Sequence, residues 1–289
     1  MLTIFTPTYN RKYILPKLYE SLISQTNQNF TWLIVDDGSA DGTEELVSQW
    51  IKDNKIKIEY IKQENAGKMQ AHNAGVLNAK TKYFVCVDSD DYVVDNAVET
   101  LLNGIAQIDG KDHICGIVAY RGKPDGSVLK TEFPKGMTES SLTDLYHAGF
   151  EGDATLLYRT EVLKKFLFPK IEGEKFITEN YVYCQIDQEY KLLIIPEIVV
   201  ICEYLDDGYS KNIYKVFNKN PKGMALYYNL KVKLAKGLIE RLKFMAGYIC
   251  YSKVAKNKHK FKNSNCKFCY IVGYPLGLFL YLKRKKYSK

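Results

Sequence analysis

The chain has 289 residues, 46% of them hydrophobic and 26% charged, a globular make-up that excludes a collagen or a wholly disordered chain. Its net charge of +8 joins two opposed regions: residues 1–210 hold 21 Lys/Arg against 32 Asp/Glu (−11), and residues 211–289 hold 20 against one acid, Glu240 (+19). An acidic body with a basic tail points to a polyanionic partner, either a lipid surface or a nucleic acid.

Residues 2–5 read as a first strand, and Ile14, Leu15, Leu18 and Leu22 share the face of a first helix. No basic segment and no long apolar stretch precede them, so no secretory leader is predicted. Residues 31–35 form a second strand that ends in Asp36-Asp37-Gly38-Ser39. Asp41 with Glu44 three residues on has the spacing of a capping box, which predicts a helix from Gly42 to about Asp53. A third strand at 56–61 precedes a helix over 68–79, and a fourth at 83–87 runs into Asp88-Ser89-Asp90-Asp91, with the next helix starting near Asp95. Such alternation predicts an α/β fold with a mostly parallel, Rossmann-like sheet, right-handed crossovers and helices on its faces. The polar clusters all follow strands, so they are expected to meet in one crevice beyond the carboxyl edge of the sheet.

Residues 111–210 are less regular, with strands expected at 113–119, 192–195 and 199–203. Beyond 211 the chain is rich in Lys and Tyr and helical in period through Leu226, Leu230, Leu234, Leu238 and Leu242. The seven cysteines are odd in number and mostly set in apolar runs, which favours reduced thiols in a cytosolic chain. Cys266 and Cys269 form a single CxxC with no second pair nearby, so incidental cysteines outweigh a zinc or redox site. The longest apolar stretch, 268–282, is 15 residues, short of the ~20 that cross a bilayer.

Asp88 and Asp90 can both reach one hard cation if their turn curls, with waters and substrate phosphates as the remaining ligands. A solvated helix-capping turn is the plainer reading of an isolated Asp-x-Asp; the strand before it and the two companion clusters favour the metal. Asp36 and Asp37 offer carboxylates to amide or hydroxyl donors such as a base edge or a ribose, and they also suit plain turn chemistry. Lys68 opens a helix, where an ammonium and free N–H groups suit a phosphate, although a solvated lysine fits equally. His72 reads as a packing residue, and Arg11 as a phosphate cover or an exposed cation.

Together, Thr6-Pro7-Thr8-Tyr9-Asn10-Arg11, the stretch 35–43 around Asp36 and Asp37, the stretch 65–75 opening on Asn65-Ala66-Gly67-Lys68, and Val87-Asp88-Ser89-Asp90-Asp91 resemble the successive signatures of family 2 glycosyltransferases with the GT-A fold. The match is ordered over residues 1–110 and weaker to about 210. The resemblance implies that Pro7, Tyr9 and Asp37 hold the nucleotide, with Asp36, Arg11, Lys68 and Ser89 beside them as donor-binding residues. It implies that Asp88 and Asp90 bracket the diphosphate and its Mn²⁺ or Mg²⁺, and that the anomeric centre is inverted. Inversion needs a general base for the acceptor hydroxyl, in this family an acid of the second half within a Glu-Asp pair. Here the stretch reads Glu179-Asn180, so Glu179 is the candidate and Asp153 its rival, with Glu174 structural. Asp206-Asp207-Gly208-Tyr209-Ser210 resembles a loop near the diphosphate.

The resemblance implies a nucleotide-sugar half (1–110) and an acceptor half (111–210), and charge and composition set apart a basic aromatic extension (211–289). The extension reads as helices in the headgroup layer of an anionic membrane, or else as a helical subdomain packed on the body with its lysines exposed. Nucleic acid is disfavoured, because 268–282 is too apolar for a groove that tracks phosphates. The expected protein is a hexosyltransferase, peripheral on the inner face of the cell membrane, taking a nucleotide-sugar, UDP-linked by preference, to a glycan or lipid-linked glycan. An inactive membrane-bound scaffold and a sugar-phosphate nucleotidyltransferase are the alternatives. The latter calls for a Gly-rich first loop, and Thr6-Pro7-Thr8-Tyr9-Asn10 has no glycine.

Overall fold

The structure, a computed structural model, describes residues 2–203 and 213–287, so the 206–210 loop lies outside the described residues. The chain divides into two units, Met1–Phe168 with Val182–Leu205, and Pro169–Tyr181 with Asp206–Lys289. In chain order the elements up to residue 201 are β1 (Leu2–Thr8), α1 (Leu15–Ile23), β2 (Phe30–Asp36), α2 (Thr43–Asp53), β3 (Ile58–Lys62), α3 (Lys68–Asn78), β4 (Tyr83–Cys86), β5 (Tyr92–Val93), α4 (Ala97–Gln107), β6 (Ile114–Gly122), β7 (Glu139–Ser140), α5 (Leu142–His147), β8 (Ala154–Arg159), α6 (Thr160–Leu163), α7 (Asn180–Ile186) and β9 (Lys191–Ile201).

Among the described residues these strands form one sheet in the order β3-β2-β1-β4-β8-β6-β9-β5, with β7 on β9. β1 and β2 are buried along their whole length, as apolar strands covered on both faces must be. Because side chains alternate across a strand, Leu2, Ile4, Trp32 and Ile34 pack with Leu15, Leu18, Leu22, Val47 and Trp50. The rings of Tyr19 and Trp50 stack at 4.2 Å in that layer. Phe5 and Phe84 turn to the opposite face and take the edge of His72 from α3. Trp32 donates its indole N–H to Thr6 Oγ1 at 2.9 Å, which satisfies a buried polar atom.

Four departures from the sequence reading have physical causes. β1 runs on to Thr8 because β2 pairs with it through Thr8↔Asp36. Pro7 is tolerated there because β4 stops pairing at Phe5↔Cys86, so its missing N–H breaks no bond on that side. Second, β8, which the sequence reading lacked, enters the mostly parallel sheet antiparallel between β4 and β6. Third, the strands expected at 192–195 and 199–203 are one strand, β9, whose register against β6 jumps from Ile195 to Ile198 around Pro196. Finally, the helix cap shifts by one residue. Gly42 is the N-cap of α2 with φ +85°. Asp41 accepts from the Thr43 N–H at 3.1 Å, while Glu44 pairs with Lys62 at 2.6 Å.

Gly116 sets the close approach of β6 to β8. A Cβ there would lie 1.9 Å from the Leu157 carbonyl oxygen. Gly116→Ala is expected to cost about 2–3 kcal/mol, within the usual penalty for overpacking. A lowered urea midpoint with unchanged slope would record it; a wild-type midpoint would mean that the strands part freely.

The second unit holds α8 (Ile213–Lys219), α9 (Pro221–Leu234), α10 (Leu238–Val254) and α11 (Lys267–Tyr287). The leucine period expected through residue 242 is broken between α9 and α10, where Ala235 and Gly237 are both extended in ψ. Met224, Val232, Met245, Tyr248, Ile249, Tyr251 and Tyr270 form its core. Glu174 caps α9, its two oxygens accepting from the Lys222 and Gly223 N–H groups at 2.8 Å each. Those are first-turn donors that no carbonyl of the helix can satisfy.

Candidate active site

The carboxyl ends of β1, β2 and β4 are tied together by hydrogen bonds from one loop to the next. After β1, Asn10 turns with φ +53°. Its N–H donates to Ser39 Oγ at 2.8 Å, and its Oδ1 accepts from the Ala40 N–H at 2.9 Å. Lys12 adds a bond from its N–H to Asp41. The loop after β2 is thereby fixed to the loop after β1. Asp37 fixes it in turn to the loop after β3. Its carboxylate accepts from the Gln63 amide at 2.7 Å and from the Ala66 and Gly67 N–H groups at 2.8 Å each. Asp36 accepts from the Ser39 N–H at 2.7 Å and the Tyr60 hydroxyl at 2.6 Å. Both acids are buried, and their first task is to organise this edge.

α3 then delivers Lys68, whose ammonium lies 2.7 Å from Asp88 Oδ1. The 88–91 turn does curl, since the Asp91 N–H donates to the Asp88 carbonyl at 3.1 Å. Burial penalises a charged Asp88, but Lys68 and then Arg121 outweigh it and hold its pKa below the usual carboxylate value. Asp90 is shifted the opposite way, raised by burial and then by the charge of Asp88, with Arg11 and Lys68 as partial offsets. Arg11 therefore bears on the acid turn, although its guanidinium also donates to the Tyr13 hydroxyl at 2.5 Å. Tyr9 is exposed, and Pro7 and Ser89 are buried.

Asp91 has a separate role. Its Oδ2 accepts from Arg121 Nη1 at 3.0 Å, and the same nitrogen lies 3.6 Å from Cys202 Sγ. Burial pushes the Asp91 carboxyl up to about 7, with Arg121 opposing and Asp88 and Asp90 reinforcing. Arg121 is itself half-buried, and its Nε has no hydrogen-bond partner among the described residues. Arg121, Tyr60 and Gln63 escaped the sequence reading. Tyr60 lies within and Gln63 just beyond β3, a strand that was recognisable, whereas Arg121 comes from β6, where no motif marks it.

Asp153 is exposed and directly precedes β8. Because β8 runs antiparallel to β4, its start lies at the edge where β4 ends, and the charge of Asp153 is felt at Arg121. Glu179 belongs to the second unit, in the segment Pro169–Tyr181. His72 is buried among the rings of Phe5, Phe84 and Phe168, as a packing residue would be.

Two carboxylates at the curled turn fit a hard dication. No group of three or more His, Cys, Asp or Glu side chains forms a metal cage among the described residues. Mg²⁺ or Mn²⁺ that fills its shell with phosphate oxygens and water suits such a sparse set. Burial and then the charge of Asp88 disfavour an ionised Asp90, and a cation at the turn would offset both.

A family model described as Glycosyl transferase family 2 matches residues 3–167. The chain is 31% identical over 193 residues to Glycosyltransferase GlyG of Streptococcus pneumoniae, covering 62% of each chain. It is 38% identical over 106 residues to Glycosyltransferase GlyA of the same organism, covering 37% of this chain and 15% of that one. The matched stretch is thus under two thirds of either relative's own length. Staphylococcus aureus TarS 1–349 in complex with UDP-GlcNAc superposes with a TM-score of 0.61 at 17% identity, covering 99% of this chain and 90% of that one. Mannosyltransferase PcManGT from Pyrobaculum calidifontis, in complex with GDP-Man and Mn²⁺, gives 0.57 at 16% identity, covering 99% and 82%. At these identities the likeness is one of fold, the GT-A arrangement.

Proposed function

The chain belongs to glycosyl transferase family 2, and from that premise we propose that it moves a sugar from a UDP-linked donor to a hydroxyl of a glycan or lipid-linked glycan, with inversion. The observation that carries this reading is the bonded union of four loops, which sets Arg11, Lys68, Asp88 and Asp90 on one edge of the sheet. Pro7, Tyr9, Asp36 and Asp37 take the nucleoside, with Asp37 toward the base; Lys68, Arg11 and Ser89 attend the diphosphate. Asp88 and Asp90 would hold the Mn²⁺ or Mg²⁺, which would supply Lewis-acid stabilisation of charge on the departing diphosphate.

In the single displacement, the acceptor oxygen forms a bond to C1 as the C1–O bond to the diphosphate breaks, the electron pair leaving with the diphosphate. A carboxylate takes the hydroxyl proton. Glu179 is assigned that role, as the resemblance implies. Within its own segment Glu174 is engaged as the cap of α9. Glu179→Gln is expected to bind donor normally and to lose transfer by about 10²–10⁴-fold, the usual worth of a positioned base. The edge placement of Asp153 makes Asp153→Asn the companion variant, expected to keep transfer within a few-fold. The reverse pattern would move the role to Asp153. A panel of UDP-sugars assayed for UDP release tests the reaction class, and a protein that neither hydrolyses nor transfers any of them would be a scaffold.

The basic segment 211–289 is assigned to the anionic inner face of the cell membrane, where a lipid-linked acceptor would reside. No helix among the described residues is long and apolar enough to cross a membrane.

A further inference from the structure

α11 has two unlike faces. Cys269, Tyr270, Gly273 and Gly277 are buried. A Cβ on Gly277 would come within 2.6 Å of the Ile249 Cβ and 3.1 Å of the Ala246 carbonyl, so α11 lies tight against α10 along this face. The other face presents Phe268, Ile271, Val272, Leu276, Phe279 and Leu282, each between 46% and 66% exposed. Their spacing of three and four residues keeps them on one side of the helix, in a stripe roughly 21 Å long at the α-helical rise. Exposed Lys283 stands at one end, and exposed Lys258 and Lys262 precede the other, where the Lys267 ammonium is held by the Phe261, Lys262 and Ser264 carbonyls. Scattered surface apolar residues need no explanation, but a continuous stripe does.

We propose that α11 is the membrane-docking element of the protein. It lies in the plane of an anionic bilayer surface, with this stripe among the acyl chains and the lysines at the headgroups. The charge pattern selects the occupant. No acid follows Glu240, so residues 241–289 carry only positive formal charge. A second copy seated stripe to stripe would set cation against cation, whereas anionic headgroups complement it. A helix with one packed face and one apolar exposed face, flanked by lysine, matches an interfacial helix and not a span. This rests on the assignment of residues 211–289 to the membrane and narrows it to one helix face.

The test is co-sedimentation of the full chain with vesicles of phosphatidylcholine containing one third phosphatidylglycerol, and with phosphatidylcholine alone. The wild-type protein should partition at least tenfold more onto the anionic vesicles. The variant Ile271→Asp/Phe279→Asp, altered only at exposed positions, should lose at least tenfold of that binding with unchanged circular dichroism. A second variant, Lys258→Ala/Lys262→Ala, alters exposed cations off the helix and should weaken binding only a few-fold. Vesicle binding indifferent to Ile271 and Phe279 would overturn the proposal, as would a dimer in light scattering that the aspartates dissolve. UDP release from a UDP-sugar, measured without vesicles, keeps the two readings apart. Turnover without vesicle binding overturns the docking helix alone, and stripe-dependent binding without turnover supports it while removing the transferase reading.

Discussion

Asp90→Asn is expected to leave a folded protein whose transfer rate falls about a thousandfold, equivalent to about 4 kcal/mol of transition-state stabilisation. That loss is the scale of Lewis-acid assistance to a leaving group. The fold should survive because the 88–91 turn is closed by the Asp91 N–H bond to the Asp88 carbonyl, a backbone contact that Asn leaves intact. Asn also removes a charge that burial and then Asp88 disfavour, which should add slightly to stability in the absence of metal. Initial rates over a manganese titration, with thermal unfolding alongside, make the check. A variant with wild-type turnover would remove Asp90 from the metal site.

Arg121→Met is expected to cost about 3–5 kcal/mol, the penalty for breaking a buried ion pair by removing one member. The ion pair spans 3.0 Å, with the Arg121 side chain only 15% and that of Asp91 7% exposed. Without the guanidinium, the Asp91 carboxyl is left against Asp88 and Asp90 in a buried turn. The double variant Arg121→Met/Asp91→Asn should recover part of the loss, since an amide carries no charge to desolvate. Urea unfolding of the three proteins measures the coupling. A single variant within 1 kcal/mol of wild type would show that water already reaches the pair.

The first half of the fold and much of the site were legible because they are local. β1, β2 and β4 are short apolar runs closed by polar turns, and each turn declares its chemistry within five residues of its strand. The second half was harder because its information is non-local. β8 is a six-residue strand with a mixed burial pattern, and only its partners β4 and β6 define it. β5 and β7 have two residues each, too few for any period to register. Pro196 divided one strand into two in the sequence because a bulge and a strand end look alike there. Arg121 illustrates the limit most clearly. Nothing adjacent to it predicts a guanidinium beside Asp91, and the pairing arises from the placement of β6 two strands from β4. Asp36 and Asp37 were legible as an acid pair closing a strand, while their internal bonds to Tyr60, Gln63 and the 66–67 amides needed coordinates.

Titration calorimetry of UDP into the full chain, with and without Mn²⁺, addresses the union of the loops most directly. Binding should be at least tenfold tighter with the ion, and Asp88→Asn should abolish that gain while leaving the weaker metal-free binding. Equal affinity with and without Mn²⁺, or a gain that survives Asp88→Asn, would contradict a metal-assisted nucleotide site at the ends of β1, β2 and β4.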